Sequence, residues 1–339
     1  MAVRVGINGF GRIGRSVFRI LDGRDDVEVV AINDLFDNDQ LAYLLSYDTV
    51  MGRFGKKVTT DDDYLYVHGE DGSSERVRMT AERDPADIPW GEMGVDYVVE
   101  STGVFRTRDK IERHFEGGAK KVVLTVPAKD EIDATVVLGV NDEVLQPEHR
   151  IVSNASCTTN CLAPLVKILD DSFGLEHGFL TTVHAYTNDQ RLADVPHKDV
   201  RRSRAAAENI VPTTTGAARA VGKVLPHLAG KLDGMAMRVP VPDGSIVDFV
   251  ARLDGRPDAA AVNDAVRAAA EGPMARIVEY SETPLVSTDI IGNSHSSIFD
   301  AISTRAAGDG FVRVVSWYDN EWGYSNRVVD LVGRLAAIG

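Results

Sequence analysis

Val3-Arg4-Val5-Gly6-Ile7-Asn8 and, directly after it, Gly9-Phe10-Gly11-Arg12-Ile13-Gly14 decide how the first half of this chain folds. The first six residues form a short, largely apolar run of strand character. The next six fit G-x-G-x-x-G, and residues 12–21 continue with helical spacing. A strand that ends in this pattern and opens into a helix has a mechanical reading. Gly9 permits the tight turn, Gly11 lets the backbone approach a pyrophosphate, and Gly14 lets helix and strand pack closely. The helix start then offers unpaired N–H groups to an anion.

Outward from that motif, strand and helix patterns alternate. Residues 27–32 are β-branched and apolar and lead into Asn33 and Asp34; residues 97–100 and 121–126 repeat the theme. Residues 58–78 differ: polar, alternating and interrupted by turn residues, they read as an inserted antiparallel hairpin. From about residue 151 the pattern changes. A short strand at 151–154 meets a helix at about 159–171, and longer strands follow at 178–185, 234–241, 245–253 and 312–318. Residues 325–338 form an amphipathic helix. The expected fold class is α/β: a Rossmann-type, mostly parallel sheet plus a second α+β domain with a large mixed or antiparallel sheet.

Asp34 falls at the end of the second strand, where an acidic residue accepts hydrogen bonds from both ribose hydroxyls of a dinucleotide. A 2′-phosphate there would meet a like charge, so NAD is expected rather than NADP. The other reading of Asp34 is a solvated turn residue.

The chain carries 37 Lys and Arg against 51 Asp and Glu, a net charge of −14. That balance argues against a nucleic-acid surface and against an anionic membrane. No apolar run is long enough to span a bilayer, and the N-terminus lacks the pattern of a secretion signal. Two cysteines, Cys157 and Cys161, stand one helical turn apart and read as thiols in a reducing compartment, here the cytoplasm. No metal-ligand spacing stands out.

Ser153-Asn154-Ala155-Ser156-Cys157-Thr158-Thr159-Asn160-Cys161 is the second informative stretch. It places Cys157 where a strand gives way to a helix, beside the positive end of the helix dipole, which favours the thiolate. The alternative is a small buried thiol, against which the polar neighbours argue. Cys161 reads as core packing. A cysteine nucleophile needs a base or a cation nearby. His184, ending the strand at 178–185, is the best placed of eight histidines, although spacing alone merely permits their contact.

These stretches resemble the phosphorylating glyceraldehyde-3-phosphate dehydrogenase family. The resemblance runs in order through GINGFGRIG, NDL, ERDP, ESTGVF, SNASCTTN, HAYTNDQ, PHKD with RRSRAAA, PTTTGAA, MAMRVP and WYDNEWGYSNR, and it spans essentially the whole chain. It implies an NAD-dependent enzyme of sugar-phosphate metabolism, with Cys157 as nucleophile and His184 as its activating acid and base. It implies that Thr187 and Arg238 hold the substrate phosphate. Ser156, Thr158, Arg204, Thr215 and Gly216 would receive attacking inorganic phosphate. Arg12, Ile13, Arg83, Thr125, Asn320 and Tyr324 would line the NAD site with Asp34. It further implies a homotetramer, with the loop 187–204 at subunit contacts. The corresponding domains are 1–156 for NAD and 157–321 for the substrate, with helix 322–339 returning to the first. A dehydrogenase of the same family acting on erythrose 4-phosphate shares nearly all these motifs. A non-catalytic NAD-binding scaffold is the rival of another class.

Overall fold

The computed structural model describes residues 2–339. The chain forms two compact units. One holds the residues up to Val136, Glu143–Ala155 and Ser325–Gly339; the other holds Val137–Asp142 and Ser156–Tyr324.

The first unit is built on a nine-stranded sheet. Its strands run in the order Ala134–Thr135, Ile151–Ser153, Lys121–Leu124, Tyr97–Glu100, Val3–Asn8, Val27–Asn33, Ser74–Thr80, Tyr64–His68 and Lys57–Thr60. The first seven pair in parallel, and the last two turn antiparallel. The glycine motif thus sits at the end of Val3–Asn8, whose two neighbours are reached by connections on opposite sides of it. Ligands bind at such a switch point in open parallel sheets. The central strands are buried throughout, as a sheet covered on both faces requires.

The segment read as an inserted antiparallel hairpin pairs antiparallel and is part of this sheet. Its last strand, Ser74–Thr80, pairs in parallel with Val27–Asn33 and so joins the hairpin to the main ladder. Local alternation showed the hairpin; the edge it docks on is a long-range pairing.

Val30, Ile88, Val95, Val98, Ile111, Val122, Leu124 and Ile151 pack around Trp90 in a core of this unit. Trp90 is fully buried, and its indole N–H donates to His114 Nδ1 at 3.1 Å, which satisfies the one polar atom the ring carries.

The second unit carries an eight-stranded mixed sheet. Val211–Thr214, Leu232–Val239, Leu175–Ala185, Ser245–Leu253, Phe311–Tyr318, Ser297–Asp300 and Val278–Ser281 follow one another, and Arg305–Ala307 pairs at the side of Phe311–Tyr318. Leu175–Ala185 runs parallel to Leu232–Val239 and antiparallel to Ser245–Leu253. The helix Cys157–Phe173 packs on this sheet with its apolar side, including Leu162, Leu165, Val166 and Leu169, buried. Other apolar side chains of the sheet remain exposed, among them Phe179, Val250 and Phe311. Among the described residues no helix is long and apolar enough to cross a membrane.

Candidate active site

In the first unit, the glycines of the motif are explained one by one. Gly9 has φ of +90°, a region that favours glycine. At Gly14 an added Cβ would lie 2.2 Å from the carbonyl oxygen of Gly9, so the turn closes only on a bare backbone. Gly11 is different: a Cβ there would meet no protein atom within 4 Å. Protein packing does not require glycine at that point, and the open space leaves room for a ligand against the backbone. Gly11 caps the helix Arg12–Leu21 without any side-chain hydrogen bond, so the helix start is open to an anion.

Asp34 closes one side of this turn. Its Oδ2 accepts the Phe10 N–H at 2.6 Å, and Oδ1 accepts the Phe36 N–H at 3.3 Å. Arg12 pairs with Asp48, and Ile13 is partly buried beside it. Arg83 is exposed, and the Thr125 hydroxyl donates to the Glu100 carbonyl at 3.1 Å. These residues fit a dinucleotide: a helix start with no side-chain cap, a carboxylate past the next strand, and a gap that a side chain would fill.

Sequence reading missed Glu100 as a site organiser. It is fully buried, accepts from Asn8 Nδ2 at 2.6 Å and from the Thr102 N–H at 2.9 Å, and contacts His114 Nε2 at 3.2 Å. Ser101 then donates to the Gly9 carbonyl at 2.6 Å. The glycine turn is therefore held from below by the ESTG segment, a pairing across some ninety residues that no local pattern reveals.

The second unit holds the thiol. Its helix starts at Cys157, two residues earlier than the periodicity suggested, because Ser156 caps it: Ser156 Oγ accepts the Thr159 N–H at 3.1 Å. The preceding Ala155 has φ of +54°, a strained conformation for a residue with a Cβ. Cys157 Sγ lies 3.5 Å from His184 Nε2. The contact that spacing only permitted is thus present.

Register brings in the third member. His184 and Arg238 are direct partners across the parallel ladder, and Arg238 Nη1 lies 2.7 Å from His184 Nδ1 and 2.9 Å from the Ala185 carbonyl. His184 Nδ1 is itself 2.7 Å from that carbonyl. The two contacts of Nδ1 belong to opposite tautomers. With Nδ1–H donating to Ala185, the Nε2 lone pair faces sulfur and can take a proton. With Nδ1 accepting from Arg238, Nε2–H faces sulfur and can donate.

Burial first, and then the Arg238 charge, push the imidazole down to about 3, so His184 is neutral at neutral pH. The expectation of a thiolate favoured by the helix start is only partly met. Burial, the largest influence, pushes the Cys157 thiol up, while the Arg238 charge and hydrogen bonds from Thr158 pull it down. The thiol depends on its neighbours for activation. Cys161, fully buried, is pushed up to about 12 by burial and is inert at neutral pH.

Tyr318 was not foreseen either. Its hydroxyl lies 2.9 Å from both Thr158 Oγ1 and Thr182 Oγ1, and its ring meets His184 edge-on at 5.9 Å. It fastens the start of the helix to the histidine strand. Asn320 accepts from Ser245 Oγ at 2.6 Å, and Ser245 Oγ in turn accepts the Ala185 N–H at 3.0 Å. This relay occupies the Asn320 carbonyl and leaves its N–H groups as donors. Tyr324 is buried in the first turn of the helix Trp322–Ile338.

Among the described residues, the remaining expected residues form no hydrogen bond with Cys157, His184 or Arg238. Thr187 is half-buried, and its hydroxyl has no partner among the described residues. Arg204 is exposed and pairs with Asp194 at 2.9 Å rather than with Cys157, His184 or Arg238. Thr215 Oγ1 accepts the Ala217 N–H at 3.2 Å, and Gly216 caps the helix Ala217–Val224 without a side chain. That helix start leaves N–H groups available.

A dinucleotide-type parallel sheet in one unit and a thiol–imidazole–guanidinium group in the other define an NAD-linked oxidoreductase with a cysteine at its centre. Comparison with known proteins makes the class specific. The family model for the glyceraldehyde 3-phosphate dehydrogenase NAD binding domain matches residues 3–108, and that for the C-terminal domain matches residues 156–320. The glyceraldehyde-3-phosphate dehydrogenase of Geobacillus stearothermophilus is 56% identical over 340 residues, covering 100% of both chains. Glyceraldehyde-3-phosphate dehydrogenase 1 of Bacillus subtilis is 55% identical over the same span. The Mycobacterium bovis enzyme of that name is 54% identical over 338 residues and 98% of each chain. The chain belongs to the glyceraldehyde-3-phosphate dehydrogenase family.

Proposed function

We propose that this protein oxidises D-glyceraldehyde 3-phosphate to 1,3-bisphosphoglycerate, using NAD and inorganic phosphate, through a thioester on Cys157. The observation that carries the reading is the Cys157–His184 contact at 3.5 Å with Arg238 directly behind the ring, in a chain of this family.

Cys157 Sγ adds to the aldehyde carbon, and the thiol proton passes by way of His184 Nε2 to the aldehyde oxygen. Because His184 is held neutral, its lone pair is free for that transfer. NAD, when bound, supplies the two-electron acceptor by taking hydride from the same carbon. His184 takes the hydroxyl proton as the carbon becomes a thioester. The nearby Arg238 charge disfavours a lasting imidazolium, so the proton is released again. Inorganic phosphate then attacks the thioester carbon, the Cys157 sulfur leaves, and an acyl phosphate forms. The thioester conserves free energy that attack by water would dissipate.

Arg238 is the cation for the substrate phosphate, and the Thr187 hydroxyl is its second donor. Ser156, Thr158, Thr215, Gly216 and Arg204 serve the incoming phosphate, which requires Arg204 to exchange its exposed partner Asp194 for the anion. Such exposed pairs are worth at most about 1 kcal/mol, a small barrier to exchange. Gly9, Gly11, Arg12, Ile13, Gly14, Asp34, Arg83 and Thr125 hold NAD, with Asn320 and Tyr324 toward the nicotinamide. Residues 1–156 and the last helix act as the NAD domain, and 157–321 as the substrate domain.

The protein works in the cytoplasm as a homotetramer. The exposed apolar side chains of the second sheet support assembly: Phe179 and Val250 face each other across the ladder and are 54% and 41% exposed. Sedimentation of a four-chain species checks it; a monomer at working concentration removes it. The function itself is tested by NAD reduction on glyceraldehyde 3-phosphate. The rate should require inorganic phosphate, exceed the rate on erythrose 4-phosphate, and drop when NADP replaces NAD. Oxidation that ignores phosphate would overturn the acyl-transfer half.

A further inference from the structure

Behind the Ser245–Asn320 hydrogen bond lie two carboxyl groups that the mechanism above does not use. Asp243 and Asp319 are each 1% exposed, and they lie side by side just beyond the paired end Ser245–Tyr318 of the ladder, where each charge acts on the other. Neither forms an ion pair with a cation among the described residues. Two buried carboxylates side by side without a cation cannot both be charged.

The donors around them say where the proton sits. Asp319 is an acceptor at both oxygens: Oδ1 takes the N–H of Glu321 at 2.9 Å and of Trp322 at 2.6 Å, and Oδ2 takes the N–H of Gly292 at 2.7 Å. Three N–H donors call for an anion. Asp243 Oδ1 accepts only the N–H of its neighbour Gly244 at 2.8 Å, and its buried Oδ2 receives no donor. A hydroxyl at that Oδ2, donating to Asp319, satisfies both groups. The segment around it has little freedom to adjust, since a Cβ on Gly244 would lie 2.2 Å from the Ser287 carbonyl oxygen.

We propose that Asp243 is a positioning residue that carries a proton at neutral pH and donates it to Asp319. The resulting acid–carboxylate clasp joins the turn that presents Ser245 to the turn that presents Asn320, one residue beyond Asp319. Through Ser245 Oγ it also bears on Ala185, whose carbonyl orients His184. The inference rests on the reading of Asn320 as a donor toward the nicotinamide.

The titratable groups whose charges act on Asp243 are Asp319 and Glu321 from the turn after Phe311–Tyr318, and the Asp243 charge in turn acts on Cys157 at the start of its helix. Cys157 in turn faces Arg238 and His184. The segment Ser287–Ile290, packed on Gly244, brings Asp289, whose carboxylate accepts the Val286 N–H. Burial, and then the charges of Asp319 and Glu321, push Asp243 up to about 9. An unfolded Asp titrates near about 3.9. Between those values the folded chain holds a proton that the unfolded chain has lost, so stability falls as pH rises across that window. Above it the clasp carries two negative charges, and the anion at Asp243 also raises the Cys157 thiol.

The test compares the full chain with Asp243→Asn, Asp319→Asn and Asn320→Ala. It reads NAD affinity by calorimetry, urea midpoints against pH, and the infrared band of a buried protonated carboxyl. Asp243→Asn keeps a donor toward Asp319. It should hold NAD affinity within about twofold at neutral pH, flatten the fall in stability, and remove the infrared band. Asp319→Asn sets an amide N–H2 against backbone donors and should weaken NAD binding about tenfold or more, as loss of a charged acceptor does. Should Asp319→Asn fail to fold, Asp243→Asn still decides. An Asp243→Asn chain that keeps the band, or loses NAD affinity as severely as Asp319→Asn, overturns the proposal. Unchanged NAD affinity in Asn320→Ala would remove the role of Asn320 while leaving the band to decide the shared proton.

Discussion

Two strand-to-helix junctions, the two candidate sites of this protein, differ in what fills them. At the first, Gly11 precedes the helix Arg12–Leu21 and offers no side chain to its N–H groups. At the second, Ser156 precedes the helix Cys157–Phe173 and satisfies one of those groups itself. The first junction is backbone left bare; the second is backbone closed by its own hydroxyl, with a sulfur at the first helical position. A junction that holds a phosphate in passing needs room and free donors. At the second junction side chains take the room and fix the sulfur: Ser156 caps the helix, Tyr318 holds Thr158, and His184 lies across from the sulfur.

The comparison is sharpest at Cys157. Cys157→Ser should lower aldehyde oxidation by at least about a thousandfold while leaving NAD affinity unchanged, since it alters one junction only. Steady-state rates and a binding isotherm on the same preparation check both halves; parallel loss would mean the junctions are not independent. Next in size is the contrast between Gly14→Ala and Gly11→Ala. The Gly14 methyl would strike the Gly9 carbonyl oxygen, so that variant should lose about 1–3 kcal/mol in urea unfolding as well as NAD affinity. The Gly11 methyl meets no protein atom, so that variant should keep its stability and lose only affinity. Equal stability in the two would contradict the division between packing and ligand space. The smallest effect belongs to Ser156→Ala. Removing the cap should cost about 1 kcal/mol at the urea midpoint. No change would mean that the second junction, like the first, does not rely on a side chain.

What was legible in the sequence follows from how local each feature is. The G-x-G-x-x-G turn, the alternation of strand and helix and the hairpin at 58–78 are encoded within short windows, and the α/β fold follows from them. So is the setting of Cys157, although its helix begins earlier than apolar spacing shows, because a serine cap rather than periodicity fixes the start. Partnerships between distant strands were not legible. Thr158 meets Tyr318 across 160 positions, Asn8 meets Glu100 across 92, and Ser245 meets Asn320 across 75. Family resemblance named Arg238 and Arg204 together, but the structure treats them differently. Arg238 is locked to the histidine by register, and Arg204 rests in an exposed pair. The Asp243–Asp319 pair was invisible for the same reason, since each aspartate alone reads as a turn residue.

The register that sets His184 beside Arg238 has one more consequence. His184 and Arg238 share one rung of a continuous hydrogen-bonded ladder and are not tips of separate loops. Their spacing cannot drift without unzipping the sheet itself. The spacing of the imidazole and guanidinium strands therefore inherits the stiffness of the scaffold.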